Sequence, residues 1–523
     1  MSESEHMSSD VSAKQLEDLH NALANWVFDA EVPPLSPLAL LHKTGPLTPL
    51  LDTLDINFNL ASVKQDCLRK YNEHREKMKG VLSQNKGLIN ISVDLVSLES
   101  NESRFCVRAH FIDNDWNLID LILNQTSHRS DDTNVVLEVL KDWGLDGKLL
   151  SLTGYPYLAN SAKGSLIKEV RNVLLKGNLF QVQCFSDVLS EMVNSSLKMI
   201  VGIVDKASPW ISPIPVHLSI FTLKEILHFK DSGLFSPENI YGHEEEVPSE
   251  YEWAKIKAIS EMNDQIYTIF QPLYKVKKPT GNFFLPRLLE FYSYLVQESK
   301  SSDEFVKEVV RKMLKTYDMY WDKMYLMLSI CAFLDPRYKM KFLEFSAKKF
   351  QWAQWDEKVA TVYDTIQRLY DSYGVENDRK EYVLGDSDLE EGEDEGGSGM
   401  HKDQELGSFM AKLNTIKELK EYTCSQKPLQ HDTNPPKKSD LQLYMEEPVL
   451  QPKNKNFAVL PWWKDNSLKY PKLSRMARDF LAVRFSIGTW YDVPEDSKVA
   501  GLDEELMEAL SCTKSWKSAY DFN

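Results

Sequence analysis

The chain has 523 residues, 42% of them hydrophobic and 27% charged, a composition typical of a globular protein with roughly two to four domains. Its formal net charge of -17 opposes tight, nonspecific binding to nucleic-acid phosphates unless positive charge is clustered locally. The six cysteines form no CxxC pair, and no apolar run is long enough to span a bilayer. We therefore expect no zinc finger, no bound metal or other cofactor, and no membrane association.

In the first half of the chain, the predicted secondary structure changes at residue 88 from helices to strands. Residues 1–12 are polar and predict a disordered tail, and residues 13–87 predict a helical region without a chemical motif. Beyond them, LINISVDLV, SRFCVRAHFID and WNLIDLILN predict three antiparallel strands. Helices and strands then alternate, as NVVLEVLKDWGL, KLLSLTGY, ANSAKGSLIKEVRNVLL (residues 159–175), NLFQVQCF and SDVLSEMVNSSLKMIVGIV. This order predicts the first part of an RNase H-like α/β domain over residues 88–207, although another three-layer α/β domain would also fit.

The second half is predicted to be helical and is interrupted once. Residues 208–375 contain long segments of helical periodicity and predict an all-α region. Residues 376–440 include GDSDLEEGEDEGGSG, which has too little apolar surface to offset chain entropy and predicts a disordered acidic loop. Residues 441–523 regain apolar periodicity in PKLSRMARDFLAV and EELMEALSCTKSW. The fold class that we predict is therefore α+β.

Several motifs, in order and at characteristic spacing, carry a resemblance to a known family. They are PTGNFFLP (Pro279–Pro286), a stretch containing YW and LDPRYK (Tyr317–Phe345), and LYMEEPVL…PWWKDNSLKYPKLSRMARDFLAV (Leu443–Val483). With them the chain resembles transposases of the hAT (hobo–Activator) superfamily, of the domesticated plant Ricesleeper/Daysleeper type. The resemblance implies an RNase H-like domain interrupted by a large all-α insertion at 208–375. It also implies that residues 441–523 complete that domain and form a dimer. The BED-type zinc finger of many members is not found in this sequence.

The resemblance implies a two-metal site for DNA cleavage, which requires three carboxylates. Asp94 occupies the first position, either as an inherited residue or as a strand Asp satisfied by local hydrogen bonds. Gly154 stands where the second Asp belongs, and VRFSIGTWYDVPEDSKVAG replaces the segment that holds the Glu. Glu495 and Asp496 of that segment stand in a Pro-containing, loop-like context, and we do not expect Glu495 to be a ligand. Asp187 stands where the family has a His, three residues after Cys184. We therefore predict that no catalytic or metal site remains and that the protein is not an enzyme.

The C-terminal segment is the best-preserved functional element. Large apolar side chains follow one another at helical spacing and predict a homodimer interface, although a stripe of the protein's own core would have the same spacing. The predicted interface residues are Trp462, Trp463, Tyr470, Leu473, Met476, Phe480 and Leu481.

Three hypotheses about function follow. The first is an inactive, domesticated transposase that acts in the nucleus as a dimeric regulator or scaffold, with only weak contact to nucleic acid. The second is an active nuclease or transposase that uses other ligands, and the third is a transposon remnant without a function.

Overall fold

The structure is a computed structural model, which describes eleven stretches of the chain and residues 17, 18, 21, 24 and 25. The stretches are 60–97, 103–127, 132–154, 181–207, 220–235, 246–275, 280–350, 355–373, 438–451, 457–487 and 504–520. The predicted tail 1–12, the predicted helix 159–175, Glu495, Asp496 and all but the last three residues of the predicted acidic loop lie outside them. The chain divides into two compact units, formed by residues 1–182, 482–487 and 491–523, and by residues 183–481 and 488–490.

The first unit contains a five-stranded sheet in the order β3-β2-β1-β4-β5. Its strands are β1 (Ile89–Ser97), β2 (Ser103–Ile112), β3 (Leu118–Ser127), β4 (Leu149–Gly154) and β5 (Gln181–Gln183). Strands β1, β2 and β3 pair antiparallel, which confirms the predicted meander, and β4 runs parallel to β1. The parallel β4 is reached through helix α2 (Asp132–Asp142), since a parallel neighbour needs a crossover connection.

The two faces of this sheet have opposite chemistry, because successive side chains of a strand point to opposite sides. Ile89, Ile91 and Val93 of β1 lie in the apolar core. Helix α2 and helix α1 (Leu60–Gln84) contribute to the same core, with the buried side chains Met78, Leu82, Val136, Leu137 and Leu140. The intervening residues of β1 are Asn90, Ser92 and Asp94, and they belong to a polar face. A sheet that is apolar on one side only is typical of antiparallel pairing.

The C-terminal helix of the chain completes this unit by covering the edge strand β3. This helix (Glu504–Ala519) lies beyond the second unit in sequence and is numbered α14 below. The Nε1–H of Trp516 donates to the carbonyl of Ile122 at 2.8 Å, and the Ile122 N–H donates to Ser515 Oγ at 2.9 Å. The Trp516 ring also stacks on Tyr71 of α1. Helix α14 therefore supplies hydrogen-bond partners that an exposed edge strand would lack.

The second unit is helical where the structure describes it. Its helices are α3 (Phe185–Leu197), α4 (Val201–Ala207), α5 (Ile220–Asp231), α6 (Glu250–Lys275), α7 (Phe284–Glu298), α8 (Glu304–Phe333), α9 (Lys339–Lys349), α10 (Trp355–Ser372), α11 (Asp440–Glu446), α12 (Val459–Asn466) and α13 (Pro471–Leu481). The long α8 packs against α3, α7, α9, α10 and α13. Phe185, Phe270, Phe291 and Tyr320 form an aromatic cluster in this core. No helix among the described residues is long and apolar enough to cross a membrane.

The boundaries of the units differ from the predicted domain boundaries at two places. The second unit begins at Gln183, whereas the sequence led us to end the sheet domain at residue 207. The apolar sides of α3 and α4, which include Val188, Leu189 and Ile203, are buried in the helical unit. Residues 441–481 also belong to the helical unit. Within the C-terminal region, only residues 482–487 and 491–523 belong to the unit that contains the sheet.

Candidate functional site

Asp94 lies on the polar face of the sheet, across from Cys106 of β2. The same face carries Arg104, Arg108 and His110 of β2, as the strand alternation requires, and Asp120 of β3 pairs with His110. We call this surface the polar sheet face. It is largely buried, since Ser92, His110 and Thr153 are each at most 2% exposed.

Two arginines neutralise the carboxylates of the polar sheet face. Arg484, which follows α13, donates from Nη2 to Asp120 Oδ2 at 3.0 Å, and Arg108 Nη1 lies 3.5 Å from Asp120 Oδ1. Burial opposes the ionisation of Asp120, but the positive charges of Arg108 and Arg484 help to outweigh it, and the pKa of Asp120 lies well below the usual range. Burial alone would lower the pKa of Arg108, yet its acidic neighbours, Asp120 and Asp94 among them, raise it. Asp94 thus interacts electrostatically with Arg108, which lies on the same face two positions along β2 from Cys106, the strand partner of Asp94.

These surroundings do not fit the two-metal site that the resemblance implies. Mg²⁺ requires several oxygen ligands in near-octahedral geometry, whereas Asp94 has a permanently charged arginine as a neighbour. Gly154, the last residue of β4, has no side chain to offer. Across the stretches that the structure describes, no three His, Cys, Asp or Glu side chains come close enough to hold a metal ion. The segment that would hold the third carboxylate lies outside those stretches.

Asp187 belongs to the second unit, in the first turn of α3. A carboxylate is favoured there by the partial positive charge of the helix N-terminus, which gives a local reason for Asp at this position. The neighbouring Cys184 is the N-cap residue, and its Sγ lies 2.9 Å from Ser186 Oγ. Cys184 is buried.

Ser92, His110 and Asp120 lie in an order that also occurs in serine hydrolases. Ser92 Oγ is 2.6 Å from His110 Nε2, and His110 Nδ1 is 3.5 Å from Asp120 Oδ2. However, Arg484 Nε donates to His110 Nδ1 at 3.4 Å, which leaves the imidazole proton on Nε2. A general base needs a free Nε2 facing the nucleophile. Since Ser92 is also fully buried, this triplet acts as a structural hydrogen-bond network.

In the second unit, the three motifs that carry the family resemblance converge on one buried network. Asn282 of PTGNFFLP accepts from Thr280 Oγ1 at 2.6 Å and donates to Asp335 Oδ2 of LDPRYK at 2.7 Å. Arg337 donates to Asp335 from its backbone N–H, its Nε and its Nη2, at 2.6–2.9 Å. Asp335 is completely buried and accepts charge-assisted hydrogen bonds, and the Arg337 side chain is 11% exposed. We call this network the motif junction.

The C-terminal segment is attached to the motif junction by Lys339 and Trp463. Lys339 has a left-handed backbone with φ of 50° and donates from Nζ to the carbonyls of Tyr444 (2.6 Å) and Glu447 (3.1 Å). Burial lowers the pKa of Lys339 to about 8. Trp463 Nε1 donates to the carbonyl of Leu334 at 2.8 Å. A side chain at Gly281 would place its Cβ 3.0 Å from Cys331 Sγ and 3.3 Å from the carbonyl oxygen of Phe480, so a larger residue at this motif glycine would require its neighbours to shift.

Burial changes the interpretation of the predicted dimer residues. Trp463, Tyr470, Leu473, Met476, Phe480 and Leu481 have no exposed surface within a single chain. Their side chains fill the core of the helical unit, as the alternative interpretation of the stripe expected, and no surface of theirs is left for a partner. Trp462 is half-buried and stacks on Tyr470. In the same segment, Leu468 lies between α12 and α13 and is 94% exposed.

Sequence reasoning missed Arg484 and assigned no role to Asp335, Arg337 and Lys339. An arginine within the apolar run FLAVRF was the available signal for Arg484, because a charge in such a run requires a partner. For the LDPRYK residues, the motif itself was recognised, but Asp335 and Lys339 also have partners more than fifty residues away in sequence. Asn282, for example, is separated from Asp335 by 53 positions.

Comparisons with known protein families agree with these regions. The family described as "hAT-like transposase, RNase-H fold" matches residues 282–373, and the "hAT family C-terminal dimerisation region" matches residues 440–516. The "ZBED1 RNase-like domain" matches residues 92–183, which contain the strands. The region matched by the "hAT-like transposase, RNase-H fold" model contains only helices among its described residues. The strands of the sheet lie instead almost entirely in the region matched by the "ZBED1 RNase-like domain". The fold is therefore α+β, with an RNase H-like sheet region and a C-terminal dimerisation region.

Comparisons with individual proteins identify relatives of the same type. The chain is 26% identical to "Zinc finger BED domain-containing protein RICESLEEPER 2" of Oryza sativa, over 92% of this chain and 72% of that protein. It is 25% identical to "Zinc finger BED domain-containing protein DAYSLEEPER" of Arabidopsis thaliana, over 88% and 68%. It is 24% identical to "Putative AC transposase" of Zea mays, over 86% and 59%. The chain thus carries hAT transposase-like domains and is homologous to the Ricesleeper and Daysleeper proteins.

Proposed function

We propose that this protein is a catalytically inactive, domesticated descendant of a hAT transposase that acts as a homodimer in the nucleus, as a DNA-associated regulator or scaffold. The observation that carries this proposal is the charge beside Asp94. Arg108 brings a fixed positive charge to the position where cleavage would require divalent cations, and Gly154 provides no ligand. Repulsion between guanidinium and metal opposes metal binding at the remaining carboxylate.

A nicking assay tests the loss of cleavage. Supercoiled plasmid is incubated with the full chain in Mg²⁺ or Mn²⁺, beside Asp94→Ala and the exposed control Asp465→Ala. We expect all three proteins to leave the plasmid supercoiled. Cleavage by the unaltered chain that Asp94→Ala abolishes and Asp465→Ala retains would show an active nuclease and refute this part of the proposal.

The dimer part of the proposal rests on the match of residues 440–516 to a dimerisation region. Because most of the predicted stripe is buried within one chain, the partner has to meet other side chains of the same segment. Leu468 presents almost its whole side chain to solvent, and Trp462 retains part of its ring surface. We propose that these two residues, and not the buried stripe, contribute apolar contact to the second copy.

Light scattering during size-exclusion chromatography distinguishes the two surfaces. Leu468→Asp is expected to weaken the dimer at least tenfold, about 1.4 kcal/mol, while circular dichroism stays unchanged. The matched variant Leu473→Asp buries an unpaired charge and is expected to lose its cooperative fold. A folded Leu468→Asp protein with undiminished dimer mass excludes Leu468 from the interface, and a monomeric unaltered chain refutes the dimer.

Nuclear location and DNA association follow from descent, because a transposase acts on chromosomal DNA. The net charge of -17 limits the expected DNA affinity, so we propose contact that is weak and salt-dependent. Imaging of a fluorescent fusion tests the location. Exclusion of the intact fusion from the nucleus would remove the DNA-associated role.

A further inference from the structure

The long helix α8 buries one side in the core of the helical unit and exposes the other side along a groove. The groove has a volume of about 710 Å³ and is lined by residues 304–322 of α8 and by Ser299 at the end of α7. This part of α8 is about 27 Å long, since a helix rises 1.5 Å per residue. Met319 lies in the groove with 56% of its surface exposed. We call this surface the α8 face.

The charges in the middle of the α8 face follow a symmetric order. Arg311 and Lys315 come first along the helix, and Asp318 and Asp322 follow. Neighbouring members of this series are three or four residues apart, so all of them lie on the same side of the helix. The midpoint of Lys315 and Asp318, between residues 316 and 317, is also the midpoint of Arg311 and Asp322. A second α8 that runs antiparallel about this point would therefore place an acidic residue opposite each basic one.

The flanking charges of the α8 face do not oppose this arrangement. Lys307 and Glu308 precede the symmetric series and line the same groove. The antiparallel register places Leu326 opposite Lys307 and Tyr325 opposite Glu308. These two residues carry no charge near neutral pH, so no like charges meet across the axis.

The two residues nearest the midpoint, Lys315 and Asp318, make no ion pair with another residue that the structure describes. Burial and the neighbouring Asp322 raise the pKa of Asp318, although Lys358 lowers it. A cation opposite Asp318 would stabilise the charged form of this carboxylate. The centre of the α8 face thus presents one unmatched charge of each sign.

The outer two residues, Arg311 and Asp322, make ion pairs that are accessible to solvent. Arg311 contacts Glu308, and the Asp322 carboxylate lies 3.0 Å from Lys358 Nζ. The side chains of Arg311 and Asp322 are 75% and 70% exposed, and ion pairs at such positions contribute less than about 1 kcal/mol. Both groups can therefore enter a further ion pair at little cost.

We propose that the α8 face binds the α8 face of a second copy of this chain, antiparallel and about a twofold axis between residues 316 and 317. Lys315 pairs with Asp318 of the partner subunit and Arg311 with Asp322 of the partner subunit, and the symmetry repeats both contacts. Met319 lies within one turn of the axis and loses exposed apolar surface. The coincidence of the two midpoints favours a second copy, because an unrelated partner would not require basic and acidic residues to be placed symmetrically.

This interface is separate from the one proposed for residues 440–516 and does not depend on it. A chain with two different twofold interfaces assembles beyond the dimer, so the α8 face would join C-terminal dimers into tetramers or larger assemblies. A single helix face is smaller than the roughly 800 Å² per partner that a stable dimer buries. We therefore expect an association that is weak and depends on concentration.

Charge reversal on each side of the axis tests the register. In Lys315→Glu, like negative charges meet at Asp318 of the partner subunit, and in Asp318→Lys, like positive charges meet at Lys315 of the partner subunit. Each variant alone is expected to associate at least about tenfold more weakly than the unaltered chain. An equimolar mixture of the two variants is expected to regain the association, because both contacts between unlike variants join opposite charges. The control is Lys257→Glu, which reverses a lysine of α6 that is 68% exposed and should change nothing.

Sedimentation velocity of the full chain over a range of concentrations measures the association, and circular dichroism verifies that each variant is folded. The same variants are made in the Leu468→Asp background, where the α8 face is expected to give dimers and Lys315→Glu monomers. Unchanged association of both single variants would overturn the α8 interface. Weakened single variants whose mixture does not recover would overturn the antiparallel register. Dimers of the unaltered chain that Lys315→Glu converts to monomers would support the α8 interface and refute the C-terminal one.

Discussion

Asp94 and Asp335 both stand in segments that match transposases, but their surroundings differ. Asp335 is completely buried, and every donor that we describe around it belongs to the same helical unit. Asp94 is half-buried, and the role that the family resemblance implies for it requires metal ions and two further carboxylates. A motif residue whose partners are side chains of its own chain is satisfied by folding alone. A residue whose implied partners are bound ligands is not.

The largest expected effect is that of removing the Asp335 carboxylate. Asp335→Ala leaves Arg337 and Asn282 buried without their acceptor, and should lower the free energy of unfolding by about 3–5 kcal/mol. Asp94→Ala should lower the free energy of unfolding by about 1 kcal/mol, because Arg108 keeps its hydrogen bond to Asp120. Denaturant unfolding measures both, with exposed Asp465→Ala as the control. Equal losses for Asp94→Ala and Asp335→Ala would show that the two carboxylates contribute alike to stability, contrary to this prediction.

Lys339 is expected to make the free energy of unfolding depend on pH, by at most about 3 kcal/mol. Burial lowers the pKa of Lys339 from 10.5 to about 8, so between these values the unfolded chain binds more protons than the folded chain. Stability should therefore rise as the pH increases from about 8 towards 10.5. The rise attributable to Lys339 is the difference between the unaltered chain and Lys339→Met. Parallel pH profiles of the two proteins would show that this lysine is not perturbed.

The two neighbouring tryptophans, Trp462 and Trp463, are expected to differ in the same way, with smaller effects. Trp463→Phe keeps an aromatic ring but leaves the buried Leu334 carbonyl without its donor, so we expect a loss of about 1–3 kcal/mol. Trp462→Phe changes a half-buried position and should therefore destabilise the protein less than Trp463→Phe. Thermal unfolding of both variants tests this order. The reverse order would contradict the assignment of Trp463 to the motif junction.

The smallest effect is expected from shortening the chain between α10 and α11. Its two ends are joined by contacts in the helical unit, since Tyr370 OH contacts Asp440 and Tyr373 OH lies 2.7 Å from Asp479 Oδ2. Replacing residues 376–437 by a Gly/Ser linker of about a quarter of the length should change stability by about 1 kcal/mol, through loop-closure entropy. Calorimetry that shows loss of cooperative unfolding would contradict this prediction.

The sequence alone determined the strands, the order of the sheet meander and the identity of the family, because side-chain periodicity and motif spacing are local properties. It also predicted that Asp94, Gly154 and Asp187 stand at the family's chemical positions. Only the tertiary structure decided that Trp463 and Leu473 face their own chain, since an amphipathic helix has the same spacing whether its partner is intrachain or a second copy. It also decided that Arg484 joins Asp120, and that Asn282, Asp335 and Lys339 meet the C-terminal segment. These contacts join residues far apart in the chain, and no local pattern encodes which buried charge will pair with which.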